Sequence, residues 1–544
     1  MNKIILGLFL LLSANAWADL WVTVAGSGTA DGSSLANACA GGTGGISDTD
    51  CTTFADGTTV RYCDAFTTTH TSPNAGTNSS TLNTYTCTCT GGTDGSFSVT
   101  SGQAIIANKQ YTKYVNCSAT STVSSGIIIN ASDFEVDGGT YTGSSAGVNI
   151  GEAGARSNVT IKNLTARSTA GSGGDSVRLL LSDQASTGRV FSNITIDNVI
   201  ADNNSRSGFY FAITGADPAL ATSYFDGITI KNSFARNNAN VGLYLYHTKY
   251  SVPEQIHKEV YIYNNEFTGN QGGGAAIYAV GLDTALNRFN NNNCSNNVGV
   301  TGGLNIFASK YFDIYENNCS GNKSPDDIDG CGILVDNDNQ YMWIHSNLLN
   351  NNSGNELNSN SGAGLMVLTA SDVYAYGNIM MNNRYGIWFA GSGTSSNIQW
   401  TNNSIINNSV AGVNWTSNAV EENATNGRNN LIMGSPECLT SGGTSPSQLD
   451  SYNHFYNCPT IDDVSWTPDM TLQGDPQLVG GTTPTNVAGV YPRSGSSLAR
   501  AGIDINVPMT DYTVKAYLHP PTIGAIEATH RTLSPTSRTS YNAR

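Results

Sequence analysis

The chain has 544 residues, a net charge of −16 and a sequence pI near 4.7, yet only 12% of its residues are charged and 59 are glycine. An acidic chain with few lysines and arginines is poorly suited to bind nucleic acid or an anionic membrane surface. The composition favours an exported protein with a polar surface.

The first 18 residues have the pattern of a secretory signal peptide. Lys3 precedes an apolar run from Ile4 to Leu12, and Ala16-Trp17-Ala18 forms a small-x-small cleavage site. Since no later segment offers about 18 uninterrupted apolar residues, we predict no integral membrane span. The mature protein is expected to be extracellular or periplasmic.

Residues 19–115 contain no visible repeat and are rich in threonine, serine and glycine, which is typical of an N-terminal capping region. Six of the eleven cysteines lie before the repeats or at their start, three within them (Cys294, Cys319 and Cys331) and two after them. An even number in each flank predicts disulfide bonds there. Cys294 and Cys319 are expected to stack in the core, and the odd total leaves at least one thiol unpaired or paired between chains.

Residues 116–440 carry a repeated pair of turn residues spaced five apart. The strongest copies are Asn198/Asn203, Asn232/Asn237, Asn265/Asn270, Asn292/Asn297, Asn317/Asn322, Asn347/Asn352, Asn378/Asn383 and Asn403/Asn408. Asparagine tolerates left-handed backbone and can hydrogen-bond the equivalent residue of the next repeat. A unit of about 25 to 35 residues that returns with insertions predicts a solenoid.

Three short strands surround each pair. An alternating strand comes first, as in Ile194-Thr-Ile196, a second lies between the two turn residues, and a third often begins with glycine. The residue two past the first turn residue is predicted to face inward, in a column of Thr165, Ile200, Phe234, Phe267, Cys294, Cys319, Leu349, Met380, Ile405 and Ile432. We therefore predict an all-β, right-handed parallel β-helix of about ten to twelve coils, with residues 441–544 as a C-terminal cap.

Several segments resemble bacterial right-handed β-helix proteins of the pectate-lyase-like superfamily: residues 26–34, Gly386-Ile-Trp-Phe389, residues 397–403 and Pro521-Thr-Ile-Gly-Ala-Ile-Glu527. The resemblance implies carbohydrate as the substrate class, usually a polymer that lies along the helix. The Asn-Thr-Asp, Gly-His-Gly and Arg-Ile-Lys set of polygalacturonase-like hydrolases is missing, and Trp343-Ile-His345-Ser346 only partly matches the Trp-Ile-Asp-His element of pectate-lyase-like enzymes. No catalytic residue is carried over from the superfamily.

The outward positions of the third strand and the turn after it combine aromatic and ionisable side chains. Residues at one register on successive coils form a column along the helix. The predicted substrate-binding residues are Tyr210, Tyr244, Tyr246 and Tyr278, the predicted catalytic residues are Lys249, His247, Asp283 and Lys310, and the predicted calcium ligands are Asp336 and Asp338. The longest insertions follow the same strand, as functional loops of solenoids commonly do.

Three functions stay open at this point. A hydrolase would use a carboxylate pair drawn from Asp283, Asp336 and Asp338. A lyase would need a base, Lys249 or alternatively His247 or Lys310, with Ca²⁺ held by the Asp336/Asp338 pair to neutralise an acidic sugar. A non-catalytic adhesin or carbohydrate-binding scaffold is the third possibility.

Overall fold

The computed structural model describes 22 ranges or single residues of the chain. They are 19–26, 32–34, 37–40, 54–73, 75–78, 81–151, 154–169, 173–182, 188–215, 222–248, 257–281, 286–299, 302–325, 329–354, 361–390, 395–416, 425–441, 452–460, 472–504, 508, 510–513 and 515–528. The predicted signal peptide lies outside them.

The secondary structure of these residues is almost entirely β. The first strands are β1 Asp19–Thr23, β2 Cys39–Ala40, β3 Thr59–Tyr62, β4 Ala65–Phe66, β5 His70–Thr71, β6 Asn83–Thr86, β7 Ser96–Val99, β8 Ile105–Ala107, β9 Thr112–Val115, β10 Ser118–Ser121, β11 Ser125–Ile129, β12 Phe134–Asp137, β13 Thr140–Gly143 and β14 Ala146–Ile150. The next are β15 Arg156–Ser168, β16 Asp175–Ser182, β17 Val190–Ile200, β18 Phe209–Thr214, β19 Tyr224–Lys231, β20 Phe234–Arg236, β21 Val241–His247, β22 Lys258–Tyr263, β23 Glu266–Thr268, β24 Gly273–Tyr278, β25 Asn287–Asn290, β26 Leu304–Phe307, β27 Lys310–Tyr315 and β28 Ile333–Asp336. The last are β29 Asn339–His345, β30 Leu348–Asn350, β31 Ala363–Val367, β32 Ala370–Tyr376, β33 Ile379–Met381, β34 Tyr385–Phe389, β35 Ser396–Thr401, β36 Ser404–Ile406, β37 Ala411–Trp415, β38 Thr425–Arg428, β39 Leu431–Met433, β40 Glu437–Ser441, β41 His454–Tyr456 and β42 Leu472–Gln473, followed by a short 3₁₀ helix, Val487–Val490.

One sheet of fourteen strands, which we call the face sheet, contains one strand from each successive coil. Its order is β5-β8-β11-β14-β16-β18-β21-β24-β26-β28-β31-β34-β37-β40, and the neighbours pair in parallel. Two further stacks of parallel strands complete the coil and enclose one continuous apolar core. This arrangement is the predicted all-β, right-handed parallel β-helix.

The stack extends beyond the predicted repeat region of 116–440. Strands β1, β3, β6, β9 and β12 pair in parallel upstream of it or across its start, and β39, β41 and β42 continue the stack downstream. The first coils turn at other residues, such as Tyr111 and Asn116, which have positive φ. The Asn pair is therefore absent from the sequence of these coils although the coil itself is present.

Disulfide bonds join neighbouring coils. Among the described residues they are Cys63–Cys89, Cys87–Cys117, Cys294–Cys319 and Cys438–Cys458. The bonds in both flanks confirm the prediction, and the inward pair Cys294 and Cys319, which we expected only to stack, is bonded. Cys331 is buried and free, so it accounts for an unpaired thiol of the odd total.

The Asn residues form two different ladders along the helix. The Asn pairs identified in the sequence belong to one ladder in some coils and to the other ladder in the rest. In one ladder the residue has positive φ and its side chain lies at the surface, as for Asn198 and Asn232, at 54° and 52°. In the other ladder the side chain is buried, and each Nδ2 donates to the Oδ1 of the next coil, as from Asn265 to Asn292 and from Asn292 to Asn317, at 3.0 and 3.2 Å. The buried position comes one residue after the surface position.

This shift corrects the predicted inward column. Thr165, Ile200 and Phe234 are half-buried and face outward, whereas the residues that follow them, Ala166, Ala201 and Ala235, are fully buried. Ala235 pairs with Phe267, and from Phe267 to Ile432 the predicted column is buried as expected. The sequence hid the change of register because both ladder positions are asparagine in many coils, as at residues 264–265 and 291–292.

The C-terminal segment covers the side of the last coils. Leu478, Val490, Leu498, Ile523 and Ile526 pack on the outer apolar residues of β33, β36 and β39. Asn429 fixes this segment with two hydrogen bonds to the backbone of Ile503, at 2.9 and 3.0 Å. The segment is therefore a lateral cover of these coils, and its role as the C-terminal cap remains a prediction.

Two of the fully buried histidines, His70 and His257, should make folding pH-dependent. Burial lowers the pKa of His70 to about 3 and that of His257 well below its usual value. Below about pH 6.5 these histidines are protonated in the unfolded chain but not in the folded protein. The free energy of unfolding should therefore decrease as pH falls, by at most about 1.4 kcal/mol per pH unit for each histidine, and the histidines should cause no loss above that pH. Urea unfolding between pH 7 and 5 should show this slope, and His70→Phe with His257→Phe should reduce it. An unchanged slope in the double variant would contradict the assignment.

Candidate functional site

The outer surface of the face sheet carries a row of half-buried aromatic side chains, which we call the aromatic row: Tyr210, Tyr244, Tyr246, Tyr278 and Phe307. The rings of Tyr210 and Tyr244 stack with centroids 5.4 Å apart, and those of Tyr278 and Phe307 stack at 4.5 Å. Tyr278 also contacts Tyr244 and Tyr246 edge-on. The four tyrosines predicted from the sequence are therefore brought together.

Strand register produces this row. Tyr210 pairs with Tyr244, and Tyr278 with Phe307, so their outward side chains repeat at the spacing of parallel strands, roughly 4.8 Å. Phe307 in turn pairs with Asp336 on β28. The aromatic row therefore leads directly to a carboxylate.

Asp336 lies close to a second carboxylate that the sequence analysis did not select, Asp329. Burial raises the pKa of both groups, and the charge of Asp336 further raises that of Asp329, to about 7. Asp338 also raises the pKa of Asp336, while the backbone N–H of Asn337, 2.6 Å from Oδ1, opposes the increase. Two carboxyl groups in one partly buried place, with one able to hold a proton at neutral pH, can act as an acid and a base.

Two buried polar side chains on the same outer surface have no hydrogen-bond partner for one of their atoms among the described residues. They are Oδ1 of Asn305, which is 2% exposed, and Nε1 of Trp388, which is 3% exposed. Asn305 pairs with Leu334, and Trp388 belongs to an apolar cluster with Leu334 and Met366. A buried acceptor and a buried donor without partners are unusual, and hydroxyl groups of a ligand could satisfy both.

His247 does not lie in the exposed turn where we predicted it. It is the last residue of β21 and is fully buried, with Nε2 3.0 Å from the carbonyl oxygen of Ser223 and its ring against His257. Since Val241, Leu243 and Leu245 also face inward, His247 continues the inward alternation of this strand. A side chain in the core cannot reach a polymer on the outer surface, so the role of alternative base is withdrawn.

The other predicted catalytic residues have different positions. Lys310 is half-buried at the start of β27, in the turn that follows Phe307. Lys249 and Asp283 lie outside the described residues, so the base predicted for a lyase and one predicted carboxylate of a hydrolase remain predictions.

The segment with the predicted calcium ligands Asp336 and Asp338, which ends at Asn339, is only partly free to bind an ion. Asn339 is buried and is used internally, because its Nδ2 donates to the carbonyl of Ile306 and its Oδ1 accepts from the N–H of Ser309, at 2.9 and 2.8 Å. Asp338 is exposed. Within the described ranges no three His, Cys, Asp or Glu residues are grouped as a metal site. Calcium binding by Asp336 and Asp338 therefore remains a prediction.

The fold and this surface define a class: a parallel β-helix whose face sheet presents an aromatic row that ends in a carboxyl pair. Across the part of the chain that is described, we find no helix of the length and apolar character that a membrane crossing requires.

The chain is similar to solved structures of other proteins. One is a GH136 lacto-N-biosidase from Eubacterium ramulus, at 8% identity and a TM-score of 0.29, covering 84% of this chain and 67% of that one. Another is XylC in complex with xylose, at 9% identity and a TM-score of 0.31, covering 94% and 98%. A third is pectate lyase Pel9A, at 13% identity and a TM-score of 0.24, covering 94% and 96%. No protein-family model matches the sequence, and no match was found among curated proteins.

Proposed function

We propose that this protein is a glycoside hydrolase that binds a polysaccharide along the aromatic row and cleaves it at Asp329 and Asp336. The observation that carries the proposal is the placement of two interacting carboxyl groups at the end of a row of aromatic side chains. Glycoside hydrolases of most families use such a pair, one carboxyl group protonating the leaving oxygen and the other acting as base or nucleophile.

The roles follow from the surroundings of each group. Asp336 accepts a hydrogen bond from the N–H of Asn337, which favours its ionised form. The negative charge of Asp336 disfavours ionisation of Asp329, so Asp329 is the general acid and Asp336 the base or nucleophile. Oδ1 of Asn305 would accept a hydrogen bond from a sugar hydroxyl near the cleaved bond and Nε1 of Trp388 would donate one, since neither atom has a partner among the described residues.

The aromatic row supplies binding rather than chemistry. Tyrosine presents a broad apolar surface with a polar hydroxyl at one end, which suits the mixed surface of a sugar ring. The proposed substrate therefore lies parallel to the helix axis, across successive strands of the face sheet.

Export is part of the same proposal. Disulfide bonds persist in oxidising compartments, and four link coils among the described residues. A protein of this kind would meet its polysaccharide outside the cytoplasm.

A polysaccharide panel tests the proposal. The purified protein is incubated with neutral and acidic polymers, with added Ca²⁺ or with EDTA, while reducing ends and the ultraviolet absorbance of unsaturated products are both followed. We expect new reducing ends without unsaturated products, and activity that persists in EDTA.

Other outcomes identify the competing functions. Unsaturated products would show the lyase chemistry predicted with Lys249 as base, and loss of activity in EDTA would support the predicted calcium site. Binding of a polymer without any cleavage would favour the carbohydrate-binding scaffold over an enzyme.

A further inference from the structure

The upstream end of the aromatic row contains an arginine held in one orientation. The guanidinium of Arg206 lies 3.9 Å from the ring centroid of Tyr210. Its Nε donates to Oδ1 of Asp175 at 2.8 Å, and a second guanidinium nitrogen donates to Oδ2 of the same carboxylate. The Asp175 side chain is fully buried, whereas that of Arg206 is 27% exposed. One edge of a fixed guanidinium group therefore remains available at the surface.

A second arginine, Arg178, lies beside it. Arg178 is an outward, half-buried residue of β16 that pairs with Tyr210. Within the described chain it has no hydrogen bond and no ion pair. Arg178 and Arg206 both act to lower the pKa of Tyr210, against the larger effect of burial, which raises it. Both positive charges are thus near the same tyrosine.

The local charge at this end is opposite to that of the whole protein. Among the described residues named here, the guanidinium groups of Arg178 and Arg206 outnumber the carboxylate of Asp175, in a chain whose net charge is −16. A general negative field repels an anionic ligand, so a ligand with an anionic group would be favoured where the local charge is positive. Guanidinium groups are also well shaped to bind carboxylates and sulfates with paired hydrogen bonds.

We infer that Arg178 and the free edge of Arg206 form a subsite for an anionic substituent of the glycan, a carboxylate or a sulfate. This inference rests on the proposed function, because it places the ligand on the same aromatic row. Five strand steps separate β16 from β28 in the face sheet, which is roughly 24 Å at the spacing of parallel strands. The anionic group is therefore bound several sugar residues away from Asp329 and Asp336.

Titration calorimetry tests the subsite independently of cleavage. The probes are a hexamer of galacturonic acid, its fully methyl-esterified neutral form and a sulfated galactose hexamer, added to an Asp329→Asn protein so that binding is measured without turnover. We expect at least one anionic probe to bind about tenfold or more tightly than the neutral probe. Arg178→Ala should remove that preference, and added NaCl should weaken it.

Matched variants separate the subsite from general charge effects. Arg178→Lys keeps the positive charge but not the planar donors, so it should retain only part of the preference. Arg167→Ala removes an exposed arginine of β15 on a different stack and should leave the preference unchanged. If Asp329→Asn protein does not fold, Asp336→Asn serves in its place.

The two proposals can fail separately. Anionic probes that bind no more tightly than the neutral one, or a preference that survives Arg178→Ala, would overturn the subsite even if the protein cleaves glycans. A preference that depends on Arg178 in a protein without any glycan cleavage would support the subsite and refute the hydrolase. The relative affinity for the carboxylated and the sulfated probe identifies the group that is bound.

Discussion

Asp329→Asn is expected to lower turnover by on the order of 10²–10⁴-fold, because it removes the proton that the proposed general acid donates. The amide keeps the size of the side chain, and Asp329 is only partly buried, so the fold should persist. Steady-state kinetics on a polysaccharide that the parent protein cleaves provide the measurement. Asp336→Asn should cause a loss of similar size, since the base or nucleophile is then missing.

The matched control is Asp372→Asn. Asp372 is a half-buried aspartate of β32, on a different stack, where it accepts a hydrogen bond from Asn397. This variant should keep the parent turnover within a factor of about two, as for a surface substitution away from the site. Full activity in both Asp329→Asn and Asp336→Asn would place the chemistry elsewhere on the coil.

The pH profile of the parent enzyme gives a second check. A general acid works only while protonated, so turnover should decline as pH rises through about 7, the pKa of Asp329. Asp336→Asn removes the negative charge that raises this pKa, and its residual activity should therefore decline at a lower pH. A profile that stays flat well above pH 7 would refute the role of Asp329.

Much of the site surface could be predicted because it depends on alternation alone. In a parallel strand every second residue faces outward, so the tyrosines of β18, β21 and β24 could be assigned to one surface from the sequence alone. Their stacking then follows from the spacing of coils. The pairing of Phe307 with Asp336 belongs to the same pattern.

Asp329 could not be found in this way. It precedes β28 at the end of an insertion, in a left-handed conformation with φ of 61°, and no repeat fixes its register. The only signal was the acidic run Asp326-Asp-Ile-Asp329 directly before a glycine, which is equally typical of a solvated turn. Its closeness to Asp336 is not determined by sequence spacing, because the length of this insertion differs from coil to coil.

The prediction for His247 was wrong because the polarity of the side chain was given more weight than the inward and outward alternation of the strand. Its position at the end of β21 has the parity of Leu243 and Leu245, which places it in the core. A histidine whose ring nitrogen is hydrogen-bonded to a backbone carbonyl can occupy such a position. Polarity suggested a turn, whereas the hydrogen-bonded strand continued for one more residue.

The register of the second strand of each coil, which lies between the two turn residues, determines which of its side chains are buried in the core. Phe267→Asp is expected to reduce the free energy of unfolding by several kcal/mol, because it places an unpaired carboxylate among packed apolar side chains. Phe267 is fully buried, and its ring stacks on that of Phe289 with centroids 6.1 Å apart. The measurement is urea unfolding followed by circular dichroism, together with the yield of soluble protein.

Phe234→Asp is the variant that distinguishes the two registers. The sequence repeat placed Phe234 and Phe267 in one inward column, a register in which both substitutions would put a carboxylate in the core. In the structure Phe234 is half-buried, its ring lies 4.8 Å from the guanidinium of Arg236, and its neighbour Ala235 is the residue that faces inward and pairs with Phe267. An aspartate at 234 would lie at the surface beside Arg236, which already pairs with Asp202, and opposite Glu266, so it should cost about 1–2 kcal/mol, well below the loss at 267. Equal destabilisation by the two substitutions would contradict the one-residue shift between the surface and buried asparagine ladders, since that shift is what separates Phe234 from the core.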